Sequence, residues 1–346
     1  MNVMNPDPAE EPLGEGVRPD HAHVEEVARV LGAAQRPLLF CHRSPDGDTI
    51  GAALALAMAL RARGAAPTIA CSDPLPPSLL FLPQSALVVT SPTEDPDLLV
   101  SVDVSDPGLL GTMKADLERL RLDGPRTLVN IDHHASDPLY GDVNLVDVTA
   151  ASTAEIVYDL VTALGVTLTR DMAMAMLTGI INDTHSFQNA NSSSRALGVA
   201  STLVAAGADA ALVSYNLLLR REPQAALLWG QVLATLRLDD GGRAASAIAT
   251  AEMLRACNAA TTDLDGVVEF IRGIDGVDLA FLLKPAAEGH FKASIRTSER
   301  VDAVLLTGAF GGGGHRRAAG CDLDGPVDVA RERLLARYRE LATPRG

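Results

Sequence analysis

Aromatic side chains are scarce in this sequence, at 3% of 346 residues with a single tryptophan. The core must therefore be packed with Ala, Leu and Val, which the 47% hydrophobic content supplies. There is no run of about 18 uncharged apolar residues, the length a membrane-crossing helix needs, so no span is expected. CxxC pairs are absent too. Cys41, Cys71, Cys257 and Cys321 are far apart, a pattern that fits reduced cysteines in a cytoplasmic protein better than a disulfide framework. Positive charge is in deficit: the net charge is -15, and residues 1–234 hold 14 Lys+Arg against 28 Asp+Glu, whereas residues 235–346 hold 15 against 16. Long nucleic acid is gripped through many Lys/Arg–phosphate contacts, so an acidic surface excludes it and any nucleic-acid substrate should be short. Met1 to Asp20 has neither the basic start nor the apolar centre of a signal peptide; rich in Pro, Glu and Asp, it reads as a disordered leader.

What is present has the length of two domains at roughly 100–200 residues each. From His21 the pattern alternates: a helix over His23–Leu31, a short buried strand Leu38–Cys41, a polar loop His42–Asp48, and an Ala/Leu helix Ile50–Arg63. Further apolar strands are expected at Pro67–Cys71, Ala86–Thr90, Leu98–Val102 and Thr127–Ile131, followed by mainly helical sequence from Ser152 to about Gly207. Strands separated by helices predict an α/β fold, a mostly parallel sheet with helices on both faces. A helical linker is expected over residues 214–236, separating a domain at 21–213 from a smaller α/β domain at 237–346. The latter should contain strands at Arg243–Thr250, Leu279–Lys284 and Phe291–Thr297, a hairpin around Asp239–Gly242, and a final helix Val327–Leu341.

Four segments carry metal-capable groups. His42-Arg43-Ser44-Pro45-Asp46-Gly47-Asp48 leaves the end of a buried strand and opens a helix, the sheet edge at which α/β folds bind ligands. Either Asp46 or Asp48 could instead simply cap that helix. Asp103 ends the apolar run Leu98–Val102, a weak signal alone. Asp132-His133-His134 ends another apolar strand. Adjacent side chains point to opposite sides of an extended chain, so one imidazole can face a metal and the other a substrate. Asp132 can fix an imidazole tautomer, or the histidines can be a solvated surface pair. Asp183, in Ile181-Asn182-Asp183-Thr184-His185, is little better than chance in isolation. Oxygen and nitrogen donors without a thiolate suit Mn²⁺ or a related divalent ion more than structural zinc. Cys41 is expected to pack in the core.

The segments HRSPDGD, VDVSD, NIDHH and INDT resemble, in order, the four motifs of the DHH phosphoesterase superfamily, and GGGGHRRAAG resembles the signature of the DHH-associated domain. Length and layout are similar to the oligoribonuclease/pAp phosphatase (NrnA-like) group. The resemblance implies two divalent ions, Mn²⁺ first with Mg²⁺ or Co²⁺ as alternatives. One ion would be held by His42, Asp46 and Asp103 and the other by Asp48, Asp103, His133 and Asp183, with Asp103 bridging and catalytic and His134 beside the scissile phosphate. It also implies a 3′–5′ oligoribonuclease and 3′(2′),5′-bisphosphate nucleotidase acting on short single-stranded RNA or DNA, pAp and dinucleotides, with a homodimer left open. Two positions depart from the family pattern: Ala52 follows Gly51 where Ser is usual, and His185 stands where Gly is usual, raising the question of an added ligand or substrate contact.

The run Gly311–Gly314 leaves backbone N–H groups uncovered and able to wrap a phosphate, with His315, Arg316 and Arg317 adding positive charge; the alternative is a flexible turn before a helix near Arg316. Lys292, Ser294 and Arg296 would share one strand face, which is either an ordinary solvated face or, as the resemblance implies, part of the lining of the substrate site. Substrate contacts are expected from Arg296, Gly312, Gly313, Gly314, His315 and Arg316. Competing readings on the same residues are a cyclic or linear dinucleotide phosphodiesterase (c-di-AMP, pApA), an inorganic pyrophosphatase or polyphosphatase, and an inactive nucleotide-binding module.

Overall fold

The computed structural model describes residues 21–92, 95–286 and 289–342, without the His315 side chain. The expected leader lies outside these residues. The chain divides into two compact units after Arg220.

The first unit runs α1 (His21–Ala33), β1 (Pro37–Phe40), α2 (Gly47–Ala62), β2 (Thr68–Ala70), β3 (Val88–Val89), β4 (Leu98–Val102), α3 (Met113–Leu122), β5 (Leu128–Asp132), β6 (Val143–Val146), α4 (Thr153–Ala163), α5 (Arg170–Thr184), α6 (Ser194–Ala205) and α7 (Ala210–Ser214). Its six strands pair in parallel in the order β3-β2-β1-β4-β5-β6. β1, β4 and β5 are buried along their whole length, as near-continuous apolar runs should be in a parallel sheet covered on both faces. Leu39, Val100, Val129 and Ile131 face a core built with α1, α2, α4, α5 and α6; Leu38, Phe40, Leu99 and Leu128 face α3 through Met113, Leu117 and Leu120. The fold class is the expected one.

Strand order reverses between β1 and β4, and the loops leaving such a switch point form a crevice at the carboxyl ends of the strands. His42 follows β1 and Asp103 follows β4, so the two flank that point. α2 begins three residues before the expected Ile50 because the Asp46 side chain accepts from the backbone N–H groups of Asp48 and Thr49. The expected polar loop is therefore shorter, and Asp48 sits in the first helical turn. α2 is buried from Gly47 to Leu60, which explains its Ala-rich composition. It crosses α5 closely: a Cβ at Gly51 would lie 2.3 Å from the Ala175 carbonyl, and one at Gly179 only 2.4 Å from Asp48 Oδ1.

The second unit contains α8 (Pro223–Leu233), β7 (Arg237–Asp239), β8 (Ala244–Ile248), α9 (Ala251–Cys257), α10 (Val267–Arg272), β9 (Leu279–Pro285), β10 (His290–Thr297), α11 (Ala303–Gly308), β11 (Gly313–His315), β12 (Ala318–Asp324) and α12 (Val327–Ala342). Its mixed sheet has the order β11-β12-β10-β9-β8-β7, and β7 and β8 form the expected hairpin. One face packs on α11 and α12 through Phe281, Ile295 and Leu334; the other packs on α8 and α10 through Ala280, Leu282, Leu228 and Ile271.

The glycine-rich run departs from expectation. It is neither an open loop nor the turn before a helix: Gly313–His315 is an edge strand, antiparallel to β12. Local propensity disfavours Gly in a strand, but close packing requires it here. A Cβ at Gly312 would lie 2.3 Å from the Gly320 carbonyl, and Gly314 has φ +144° with a Cβ position 2.5 Å from the Ala318 carbonyl.

Candidate metal centre

Every residue named as a metal ligand from the sequence lies at the carboxyl edge of the first sheet. His42, Asp46 and Asp103 converge as one possible ligand group, and Asp48, His133 and Asp183 as a second; a third grouping joins Asp103, His133 and His134.

Asp103 is at the centre. It is buried and sits at φ +60°, a conformation Asp tolerates better than most residues, while its N–H still bonds the Ile131 carbonyl at 2.9 Å. Its Oδ2 is 3.6 Å from His42 Nε2, and its Oδ1 is 3.7 Å from both His133 Nε2 and His134 Nδ1. His42 Nε2 is also 3.6 Å from Asp46 Oδ1, and His133 Nε2 is 3.1 Å from Asp183 Oδ2 and 4.0 Å from Asp48 Oδ2. The capping and cluster readings of Asp46 thus hold together in one side chain.

Both ligand imidazoles are oriented alike. His42 Nδ1 bonds the Arg43 carbonyl at 2.8 Å and His133 Nδ1 the Ala150 carbonyl at 3.4 Å. Since a carbonyl only accepts, each Nδ1 carries hydrogen and each Nε2 is turned to the carboxylates, as in a metal-binding histidine whose other ring nitrogen is held by a backbone carbonyl. His133 Nε2 is buried and makes no well-aligned hydrogen bond, although Asp183 Oδ2 is 3.1 Å away. A buried imidazole nitrogen facing three carboxylates fits a divalent cation. Burial alone would lower the His42 and His133 pKa values. In the ion-free protein, Asp103 and Asp46 overcome burial for His42 and push it up to about 11, and Asp183, Asp103 and Asp48 push His133 up to about 10. Burial, then the neighbouring Asp183 and Asp103, holds Asp48 well above the usual carboxylate range.

Asp48 is anchored by a feature the sequence reading missed. Its Oδ2 accepts from Thr153 N at 2.6 Å and its Oδ1 from Ala154 N at 2.9 Å, so the carboxylate caps the start of α4, where free N–H groups and the helix dipole favour negative charge. Thr153 Oγ1 also donates to Asp103 Oδ1 at 2.9 Å, so one residue holds a carboxylate of each ligand set. The available signal was Ser152-Thr153-Ala154-Glu155, a capping-box sequence: Ser152 Oγ accepts from Glu155 N, and Glu155 Oε2 accepts from Ala151 N. Asn182 is a second missed residue; its Oδ1 accepts from Gly47 N and its Nδ2 donates to Asp183 Oδ1.

His134, a third exposed, bonds buried Asp132 through Nδ1 at 2.8 Å, and this bond raises its pKa. Nε2 is the nitrogen left for a substrate. His185 belongs to neither ligand group: it is exposed and ends α5 at φ +48°, ψ +51°. This is a left-handed position that glycine occupies freely, and His fills it here. Cys41 is fully buried in the core.

The residues named for substrate contact lie in the second unit. Lys292, Ser294 and Arg296 alternate with buried Ala293 and Ile295 along β10. Arg296 is paired with Glu269 of α10 at 2.6 Å. Arg296 and His315 pair with the same residue, Ala318, from opposite sides of β12. Arg316 is exposed, its Nε 3.9 Å from Asp302.

Residues 37–180 match the N-terminal domain of the DHH family and residues 246–342 the DHHA1 domain. The chain is 35% identical over 324 residues to the bifunctional oligoribonuclease and PAP phosphatase NrnA of Thermus thermophilus, covering 92% of this chain and 94% of that protein. It is 24% identical over 301 residues to the Bacillus subtilis protein of the same name, covering 86% and 92%. An exopolyphosphatase-related protein from Bacteroides fragilis shares the fold, with a TM-score of 0.85 at 21% identity over 93% of this chain and 97% of that one. Among the described residues no single helix is long and apolar enough to cross a membrane.

Proposed function

The chain belongs to the DHH family of phosphoesterases, and from that premise we propose that it hydrolyses oligoribonucleotides of a few residues to 5′-mononucleotides and removes the 3′-phosphate of pAp to leave AMP. The observation that carries this reading is the position of Asp103, within 3.7 Å of three imidazoles and adjoining both ligand groups. Relatives that carry both activities in their names match over nearly their whole length, which supports the substrate class.

His42, Asp46 and Asp103 would hold one divalent ion and Asp48, Asp103, His133 and Asp183 the other; Mn²⁺ suits the mixed donors, with Mg²⁺ and Co²⁺ as alternatives. Bound there, paired ions supply Lewis acidity toward the phosphate oxygens and a water acidified toward neutral pH. The protein's own groups do the rest. Thr153 and the start of α4 keep Asp48 and Asp103 in place before substrate arrives, so little reorganisation accompanies the reaction. Asp132 holds His134 through Nδ1 and favours its protonated form, which gives the proton on Nε2 to the leaving oxygen. Arg296, Gly312, Gly313, Gly314, His315 and Arg316 contact the nucleotide. The acidic surface disfavours long chains, and the protein acts in the cytoplasm.

The test is a rate comparison on RNAs of about two to twelve nucleotides, pAp, pApA, c-di-AMP and pyrophosphate, with Mn²⁺ and with chelator. The expected result is highest activity on the shortest RNAs and pAp, abolished by chelator. Rates that climb steadily with RNA length, fastest turnover of pyrophosphate or c-di-AMP, or wild-type activity in Asp103→Asn would each overturn the reading.

A further inference from the structure

We propose that Phe270 is a stacking platform for a nucleobase of a single-stranded substrate, in a subsite separate from the glycine-rich strand; this rests on the oligonucleotide reading above. Phe270 is 57% exposed, the one exposed phenylalanine among the described residues of a chain with few aromatics. The fold does not need it there. Its helix α10 docks through Val267, Val268 and Ile271, and Phe270 belongs to none of the apolar cores.

Its surroundings are those of a base-binding surface. Behind it stands Trp229, with ring centroids 6.4 Å apart and planes at 59°. Trp229 is held by a bond from Nε1 to the Asp263 carbonyl and carries the Arg221 guanidinium over its face at 5.2 Å. The ring is therefore backed by a fixed aromatic–guanidinium layer, so stacking on its open side requires little ordering of the protein. Glu269, the preceding residue, pins Arg296 beside the helix. Arg272, two residues on, lies within electrostatic reach of Arg317; burial and Arg316, with a smaller part from Arg272, hold Arg317 below the usual arginine range against the opposing pull of Glu299 and Asp302. Arginines around an exposed ring, here Arg221 on Trp229 and Arg296 held by Glu269, are the combination that binds single strands without sequence preference, the charge tracking phosphates and the ring accepting any base.

The sole tryptophan reports on this site. Full-length protein in chelator is titrated with tetraadenylate, following Trp229 emission and the anisotropy of labelled RNA, beside a tetranucleotide of the same backbone lacking bases. Wild type should bind tetraadenylate saturably with a change in emission. Phe270→Leu should weaken that binding between about 5-fold and 100-fold, Phe270→Tyr should restore it, and the abasic chain should bind wild type and Phe270→Leu equally. Undiminished binding by Phe270→Leu, equal losses for the abasic chain, or no saturable binding by wild type would each overturn the proposal. Because binding is read without turnover, it is decided separately from whether the protein cuts RNA in Mn²⁺.

Discussion

His134 Nδ1 lies 2.8 Å from Asp132 Oδ1, and the same oxygen accepts the backbone N–H of His133 at 2.8 Å. One buried carboxylate thus sets both the orientation of the proposed proton donor and the path of the chain that carries a metal ligand. The bond also raises the His134 pKa. Replacing the carboxylate by an amide in Asp132→Asn should therefore lower that pKa. The alkaline limb of kcat should move to lower pH, and kcat should fall by about 10²–10⁴-fold, the worth of general acid catalysis. A pH–rate profile decides it; an unmoved limb would separate His134 from proton transfer.

Thr153 tests whether support of the ligands matters. Thr153→Val keeps the backbone N–H that binds Asp48 and nearly the same volume, but removes the hydroxyl that binds Asp103. Metal affinity should fall by roughly 10- to 100-fold, as for other groups that orient ligands. Mn²⁺ titration of the variant measures this, with circular dichroism as the control for folding.

Metal uptake should release protons. In the ion-free protein His42 titrates at about 11 and His133 at about 10, so both are protonated at neutral pH. Each of the two ions needs one of these Nε2 lone pairs, so filling both sites should expel about two protons per chain and strengthen as pH rises. Calorimetry in buffers of different ionisation enthalpy counts them. Both values exceed the unfolded value of about 6.5. Their contribution to stability is therefore complete below that pH and is lost as pH climbs through 10 to 11. Chelated protein should melt at progressively lower temperature from pH 7 to 10.

His185 should prove dispensable for ion binding. Its φ of +48° suits Gly, so His185→Gly should leave metal content unchanged and the melting temperature equal or higher. His185→Val should lose about 1–2 kcal/mol, since a β-branched side chain resists the left-handed conformation. Loss of an ion in the glycine variant would instead make His185 a ligand.

Much of the fold was legible because β1, β4 and β5 are short apolar runs between helical sequence, which a doubly covered parallel sheet demands. Asp132-His133-His134 and the His42–Asp48 segment stood out by local density of donors. Asp103 and Asp183 did not: each is a lone carboxylate after an apolar stretch, and only the family resemblance singled them out. Thr153 was missed because its role combines a side-chain and a backbone bond to residues 50 and 105 positions away. α2 starts earlier than the apolar pattern indicates because the Asp46 side chain both caps the helix and joins the ligand cluster. The glycine run is not legible as a strand because the local preference of Gly for turns is overridden by close contact with β12.

The alternation of strands and helices, the donor types available and the order in which the chain delivers them follow from periodicity and residue chemistry alone. The reversal of strand order between β1 and β4, which sets His42 beside Asp103, is a product of long-range packing. Such packing alone brought α4 to hold Asp48 by its N–H groups, turned His134 toward Asp132, and left Phe270 exposed over Trp229. Those relations join residues distant along the chain, and they follow from packing rather than from any local preference.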